Sequence, residues 1–404
     1  MKYDFETVLD RYDNGSVKWN LMKKKKPQVG RGVVPFSIAD MEFKNPPEII
    51  EALKEYLDTA VLGYQTAEPS WYEAVTGWTK RRYGWETRPE WFYTTPGVVN
   101  ALYHGVLAFT KPEDGVIVMP PVYYPFYKAV ETNGRRTVRC PLKEGRELSY
   151  AIDFDRLEAL ASDPKNTLLI LCNPHNPVGR VWTRQELLMV SQICLRHHVF
   201  VISDEIHCDL IMPGHTFTSF ASLSEENAAN TMTCIAPSKT FNLAGLEASC
   251  VILPDRERRH QLKAEMSRVS YEGRVNALGY KAMEAAYTRC DQWLSQAIQV
   301  IHSNHRLLTE FLKEHCPDVK AAPLEGTYLQ WLDLRALGWT PKEQESIMEE
   351  ADLFFDEGGM FGPEGEGFER MNLACPQTVM LDGLSRFSQA VNRRKRGGGD
   401  DHRG

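Results

Sequence analysis

The run Val199-Phe200-Val201-Ile202-Ser203-Asp204-Glu205-Ile206-His207 is apolar through Ile202 and then turns polar and acidic. An unbroken apolar run rich in Val and Ile reads as a strand covered on both faces, the habit of a parallel sheet. In open α/β sheets, ligands bind outside the carboxyl ends of such strands, and Asp204 stands at that end. A carboxylate there either caps the next helix or holds a proton on a cationic ring nitrogen. His207 is spaced to orient Asp204 or to serve as a structural histidine.

Upstream, Leu168-Leu169-Ile170-Leu171-Cys172 is a second run of the same kind, leading into Asn173-Pro174-His175-Asn176-Pro177-Val178-Gly179. The prolines cannot continue a central strand, so the chain leaves the sheet there. Asn176 either serves its own turn or donates to a phenolate oxygen of a ring above the sheet. Downstream, the β-rich Thr231-Met232-Thr233-Cys234-Ile235 precedes Ala236-Pro237-Ser238-Lys239-Thr240-Phe241-Asn242-Leu243-Ala244-Gly245. A lysine among small and apolar residues either snorkels to solvent or, if buried, loses basicity and becomes a nucleophile able to form a Schiff base. Tyr93-Thr94-Thr95-Pro96-Gly97-Val98-Val99-Asn100-Ala101-Leu102 places a glycine before an apolar helix. The Val98 and Val99 amides can open that helix, and free amides at a helix start form a phosphate site without basic side chains, to which Ser238 could add a hydroxyl. After the strand Gly115-Val116-Ile117-Val118-Met119, the segment Pro120-Pro121-Val122-Tyr123-Tyr124-Pro125-Phe126 supplies aromatics that either enter the core or stack on a flat ring.

Together these segments resemble the fold-type I pyridoxal-phosphate (PLP) enzymes of the class I/II aminotransferase superfamily. The motifs around Asn176, Asp204 and Lys239 occur in that family's order. Within it the chain is most similar to the cysteine-S-conjugate β-lyase branch, the MalY/PatB-type cystathionine β-lyases and cystalysin-like enzymes. Further matching segments are Arg11-Tyr12, Ser16-Val17-Lys18-Trp19, Ile38-Ala39-Asp40-Met41-Glu42-Phe43, Gly63-Tyr64, and Phe361-Gly362 through Cys375-Pro376. The resemblance covers almost the whole chain. It implies a mostly parallel doubly wound sheet with a smaller α/β domain. It makes Lys239 and Asp204 catalytic, Lys239 as the Schiff-base lysine and Asp204 as the partner of the pyridine nitrogen. Asn176 would meet the phenolate oxygen, Tyr123 the ring face, and Val98, Val99 and Ser238 the phosphate. Tyr64 would join from a second subunit of a homodimer with composite sites, and His207 would also border the cofactor. Arg370 would grip the substrate carboxylate, with Ala39 and Tyr124 beside it; without the resemblance, Glu364, Glu366 and Glu369 nearby would make Arg370 a surface residue. Two positions depart from the family pattern. Ser37-Ile38-Ala39-Asp40-Met41-Glu42 stands where Trp-Val-Ala-Asp-Met-Asp is usual, and Glu247 stands where Gln is usual. The superfamily's common arginine shortly after the lysine is absent, which favours lyase over transaminase.

The chain has 404 residues, so more than one domain is expected. The expected division is an N-terminal arm belonging partly to the small domain (1–48), a large cofactor-binding domain (49–280), a small C-terminal domain (281–391) and a disordered tail (392–404). A net charge of −7 leaves no nucleic-acid footprint, and Lys23-Lys24-Lys25-Lys26 reads as a solvated loop. The odd count of 9 cysteines and the absence of a secretory leader point to a cytoplasmic protein with reduced thiols, and no membrane span or metal site is expected. The expected activity is C–S β-elimination from cystathionine, cysteine or S-substituted cysteines. A transaminase, or a regulator acting through a protein partner, are the alternatives.

Overall fold

A computed structural model of the chain describes residues 2–269 and 274–397. A 7-stranded sheet contains β1 (Phe92–Thr95), β2 (Gly115–Val118), β3 (Arg136–Arg139), β4 (Asn166–Cys172), β5 (Phe200–Asp204), β6 (Thr231–Ile235) and β7 (Ser249–Ile252). Across the sheet they run β1-β7-β6-β5-β4-β2-β3. The block from β3 to β6 is parallel, and β7 is antiparallel to both neighbours.

The apolar runs are buried because both faces are covered. Leu168, Ile170 and Ile202 pack against Leu102 and Val106 of the helix Val98–Phe109 and Leu262 of the helix Arg256–Val269. Their neighbours Leu169, Leu171 and Val201 point the other way, onto Leu187, Val190 and Ile193 of the helix Arg184–Arg196. This is strand alternation with a helix layer on each side. Each such side chain contributes roughly 1.5–3 kcal/mol by leaving water. Gly105 lets the first layer approach closely: a Cβ there would lie 2.7 Å from Ile202 Cδ1.

A second, 4-stranded antiparallel sheet follows, with β8 (Lys320–Ala321), β9 (Leu329–Asp333), β10 (Asp356–Glu357) and β11 (Phe368–Asn372) in the order β8-β9-β11-β10. The N-terminal segment is tied to it: Phe36 N–H donates to Phe354 O (2.9 Å), and Asn372 N–H donates to Phe36 O (2.9 Å).

Two local expectations are corrected. The lysine run ends the helix Val17–Lys25 instead of forming a loop; Lys24 is exposed, but Lys25 pairs with Glu345 (2.9 Å) and Glu357 (3.2 Å), and Lys26 with Asp352 (2.7 Å). The tail expected to be disordered is helical as far as Gly397, since the last helix spans Gln377–Gly397 and buries Val391. The rest of it, 398–404, lies outside the described residues.

Candidate active site

The carboxyl ends of β4, β5 and β6 open onto a cavity of about 250 Å³. Each strand delivers one functional side chain to it. Asp204 ends β5, Asn176 follows β4, and Lys239 lies in the short turn Pro237–Thr240 after β6. From the far side, Gly97 precedes the helix Val98–Phe109 with φ 93°, a conformation that glycine tolerates and other residues resist. The Val98 and Val99 amides therefore begin a helix at the cavity wall, next to Ser238. Free N–H groups and the positive end of a helix dipole are suited to an anion.

Lys239 is half-buried, and its Nζ donates to Ala39 O at 2.7 Å. Burial lowers its pKa from 10.5 to about 8, against the opposing pull of Asp40. About a tenth of the amine is thus unprotonated at pH ~7, far more than for a solvated lysine. Asp204 is 4% exposed, and burial raises its pKa to about 7 although Ile206 N–H (3.1 Å) and Lys239 favour its ionised form. A cationic ring nitrogen beside it would complete the stabilisation of the carboxylate. Tyr123 lines the same cavity, and burial pushes its phenol well above its usual pKa, so it presents a neutral aromatic face.

His207 lines the cavity but does not orient Asp204 as its spacing suggested. The Ile206 N–H holds that carboxylate instead, and the His207 ring packs edge-on to Tyr328 at 6.0 Å. Its Nδ1 is buried without a hydrogen-bond partner, and burial holds the ring neutral. Such an orphaned polar atom beside a cavity suits a polar ligand.

Arg370 is 3% exposed rather than on the surface. Alternation along β11 sends its neighbour Glu369 to the opposite face, where Gln344 donates to it at 2.8 Å. Arg370 Nη1 donates to Asn176 Oδ1 (2.8 Å), and Nε and Nη2 donate to Asp356 Oδ2 (3.2 and 2.5 Å). The two sheets thus meet through one guanidinium.

Of the residues singled out in the sequence, Ala39, Val98, Val99, Tyr123, Asn176, Asp204, His207, Ser238 and Lys239 border one cavity. Arg370 reaches it through Asn176. Tyr124 stands behind Tyr123, their ring centroids 5.4 Å apart. Tyr64 is separate, 88% exposed. Sequence reading missed Asp356, whose Oδ2 also accepts from Ile38 N–H at 2.8 Å and so ties Arg370 to the arm. It also missed Asn242, which clasps Met41 through Oδ1 (2.9 Å) and Nδ2 (3.0 Å). Only long-range pairing reveals either role.

A mostly parallel sheet with a half-buried lysine, a buried acid and a helix start at its carboxyl edge defines the transferase-like fold of type I PLP enzymes. The chain belongs to the aminotransferase class I and II family, whose model matches residues 31–386. It is 44% identical to the cystathionine beta-lyase PatB of Bacillus subtilis, over 96% of this chain and 100% of that one. Cystalysin from Treponema denticola, whose crystal structure contains pyridoxal 5'-phosphate, superposes with a TM-score of 0.95 at 46% identity, covering 97% and 100% of the two chains. The PLP-bound C–S lyase of Staphylococcus hominis superposes with a TM-score of 0.89 at 30% identity, covering 97% and 98%. Among the described residues no helix is long and apolar enough to cross a membrane.

Proposed function

We propose that this chain is a PLP-dependent C–S β-lyase that converts cystathionine, cysteine or other S-substituted cysteines to a thiol, pyruvate and ammonia. The observation that carries this reading is the meeting at one cavity of a weakly basic lysine, a buried acid and, through Asn176, a buried arginine. The lyase names borne by its relatives of similar length support it.

When bound, PLP supplies an aldehyde for the amino acid and a ring into which the electrons of the Cα–H bond can spread. Lys239 would hold the cofactor until substrate displaces it, and its freed Nζ would then take the Cα proton. Asp204 would keep the ring nitrogen protonated, Asn176 would meet the phenolate oxygen, and Tyr123 would cover the ring. Val98, Val99 and Ser238 would hold the phosphate, with His207 also against the cofactor. Arg370 would bind the substrate carboxylate, steadied by Asp356, with Ala39 and Tyr124 near the substrate.

The active form in this reading is a homodimer. Leu57, Val61, Leu62 and Tyr64 are between 48% and 88% exposed, an apolar patch that a second copy would cover. Tyr64 would thereby reach the neighbouring site. The large unit is 49–280, and 281–391 with the arm 1–48 forms the small one.

The test is pyruvate release from a panel of S-substituted cysteines with no keto-acid acceptor present. Stoichiometric thiol and pyruvate are expected. Turnover only when an acceptor is added would replace this reading with a transaminase.

A further inference from the structure

Glu247 lines the cavity in company with Gly97, Val98, Val99 and Ser238. It also lines a larger neighbouring cavity of about 1070 Å³, so it stands where the two join. Its backbone is left-handed, φ 46° and ψ 51°, and its N–H closes a turn onto Ala244 O at 3.1 Å. That conformation is uncommon for a residue with a Cβ and fixes where its side chain starts. Among the described residues Glu247 takes part in no ion pair. The charged residues bordering the smaller cavity are Asp204, Lys239 and Glu247. Lys239 is committed to the cofactor aldehyde, so among the described residues lining this cavity the phosphate corner has amides and a hydroxyl but no further side-chain cation to offset an acid.

We infer that Glu247 weakens this chain's hold on its cofactor by placing a carboxylate at the phosphate corner. The inference rests on the proposed placement of the phosphate at Gly97–Val99 and Ser238. A phosphate monoester is largely dianionic above pH ~7, its second pKa lying at about 6. Like charges facing one small cavity repel, less so through water than in a dry interior. Glu247 is exposed in the single chain, so the effect is moderate and depends on salt. The cofactor becomes more readily exchanged, and the enzyme responds to its supply.

The experiment compares PLP with pyridoxal, which lacks the phosphate. Full-length protein freed of cofactor is titrated with each, and binding is followed by tryptophan quenching and cofactor absorbance. Glu247→Gln keeps shape and removes charge. It should lower the Kd for PLP about tenfold at low salt, leave that for pyridoxal unchanged, and lose most of the advantage near 1 M salt. Ser238→Ala reports on the placement separately and should weaken PLP binding without affecting pyridoxal. If Ser238→Ala behaves so while Glu247→Gln leaves PLP affinity unchanged or weaker, the inference alone is overturned. If Ser238→Ala weakens both ligands equally, the phosphate placement fails and takes the inference with it.

Discussion

Lys239 shows how far a single residue's surroundings set its chemistry. Burial brings its pKa to about 8, so in the cofactor-free protein its amine should capture PLP at a rate that rises through that pH and levels off above it. A stopped-flow profile of capture against pH checks this; a rise centred near 10 would mean that the amine is solvated. Borohydride reduction of the holoenzyme should leave the label on the peptide containing Lys239, as mass spectrometry can read. Arg370 is separable from it. Arg370→Ala removes a planar charged partner for a carboxylate and should lower kcat/KM by an amount equivalent to roughly 2–5 kcal/mol of barrier, mainly through KM. The cofactor spectrum should not shift, whereas Asp204→Ala should shift it. Identical defects in the two variants would contradict the separate roles. Asp204, Asn176 and Lys239 were legible in the sequence because each follows an apolar run at a strand's carboxyl end. Asp356 was not, since nothing local marks an acid whose partner is Arg370 on the neighbouring strand.

At the scale of the element, β11 carries two charged side chains on opposite faces, and only one faces the site. Glu369 is 2% exposed, one oxygen takes Gln344 and the other has no partner, and burial raises its pKa to about 8. The native chain therefore binds a proton here that the unfolded chain releases near pH ~4.3. Stability from this group is present below that ordinary pKa and is lost as pH rises toward 8. Glu369→Gln supplies a neutral isostere. The variant should gain in Tm relative to the parent at pH 8.5 and gain little at pH 5.5, by calorimetry at matched salt. An equal change at both pH values would show that the carboxyl is not protonated in the native state. The parallel strands were readable because burial on both faces leaves an unbroken apolar run. The lysine run was misread because its composition resembles that of a solvated loop, while its carboxylate partners lie far along the chain.

For the whole molecule, the separation of Tyr64 from its own cavity gives a complementation test. Tyr64→Ala and Lys239→Ala chains, each inactive as homodimers, should regain roughly a quarter of wild-type activity when mixed equally and allowed to exchange. One site of each mixed dimer would then combine an intact Tyr64 with an intact Lys239. No recovery, with mixed dimers demonstrated by mass, would show that each chain's site is self-contained.

The sequence by itself determined the sheet, the acid and lysine at its carboxyl edge, and the glycine that starts the helix at the cavity wall. These depend on local pattern: strand burial, a helix start and turn chemistry are written within short windows of chain. Tertiary structure decided the rest. It set the partners of Arg370, moved the orientation of Asp204 from His207 to a backbone amide, anchored Lys239 to Ala39 O, and brought Glu247 to the wall of the same cavity. Each of these joins residues from different elements, and their separation in space is fixed only when both sheets and the N-terminal arm have packed.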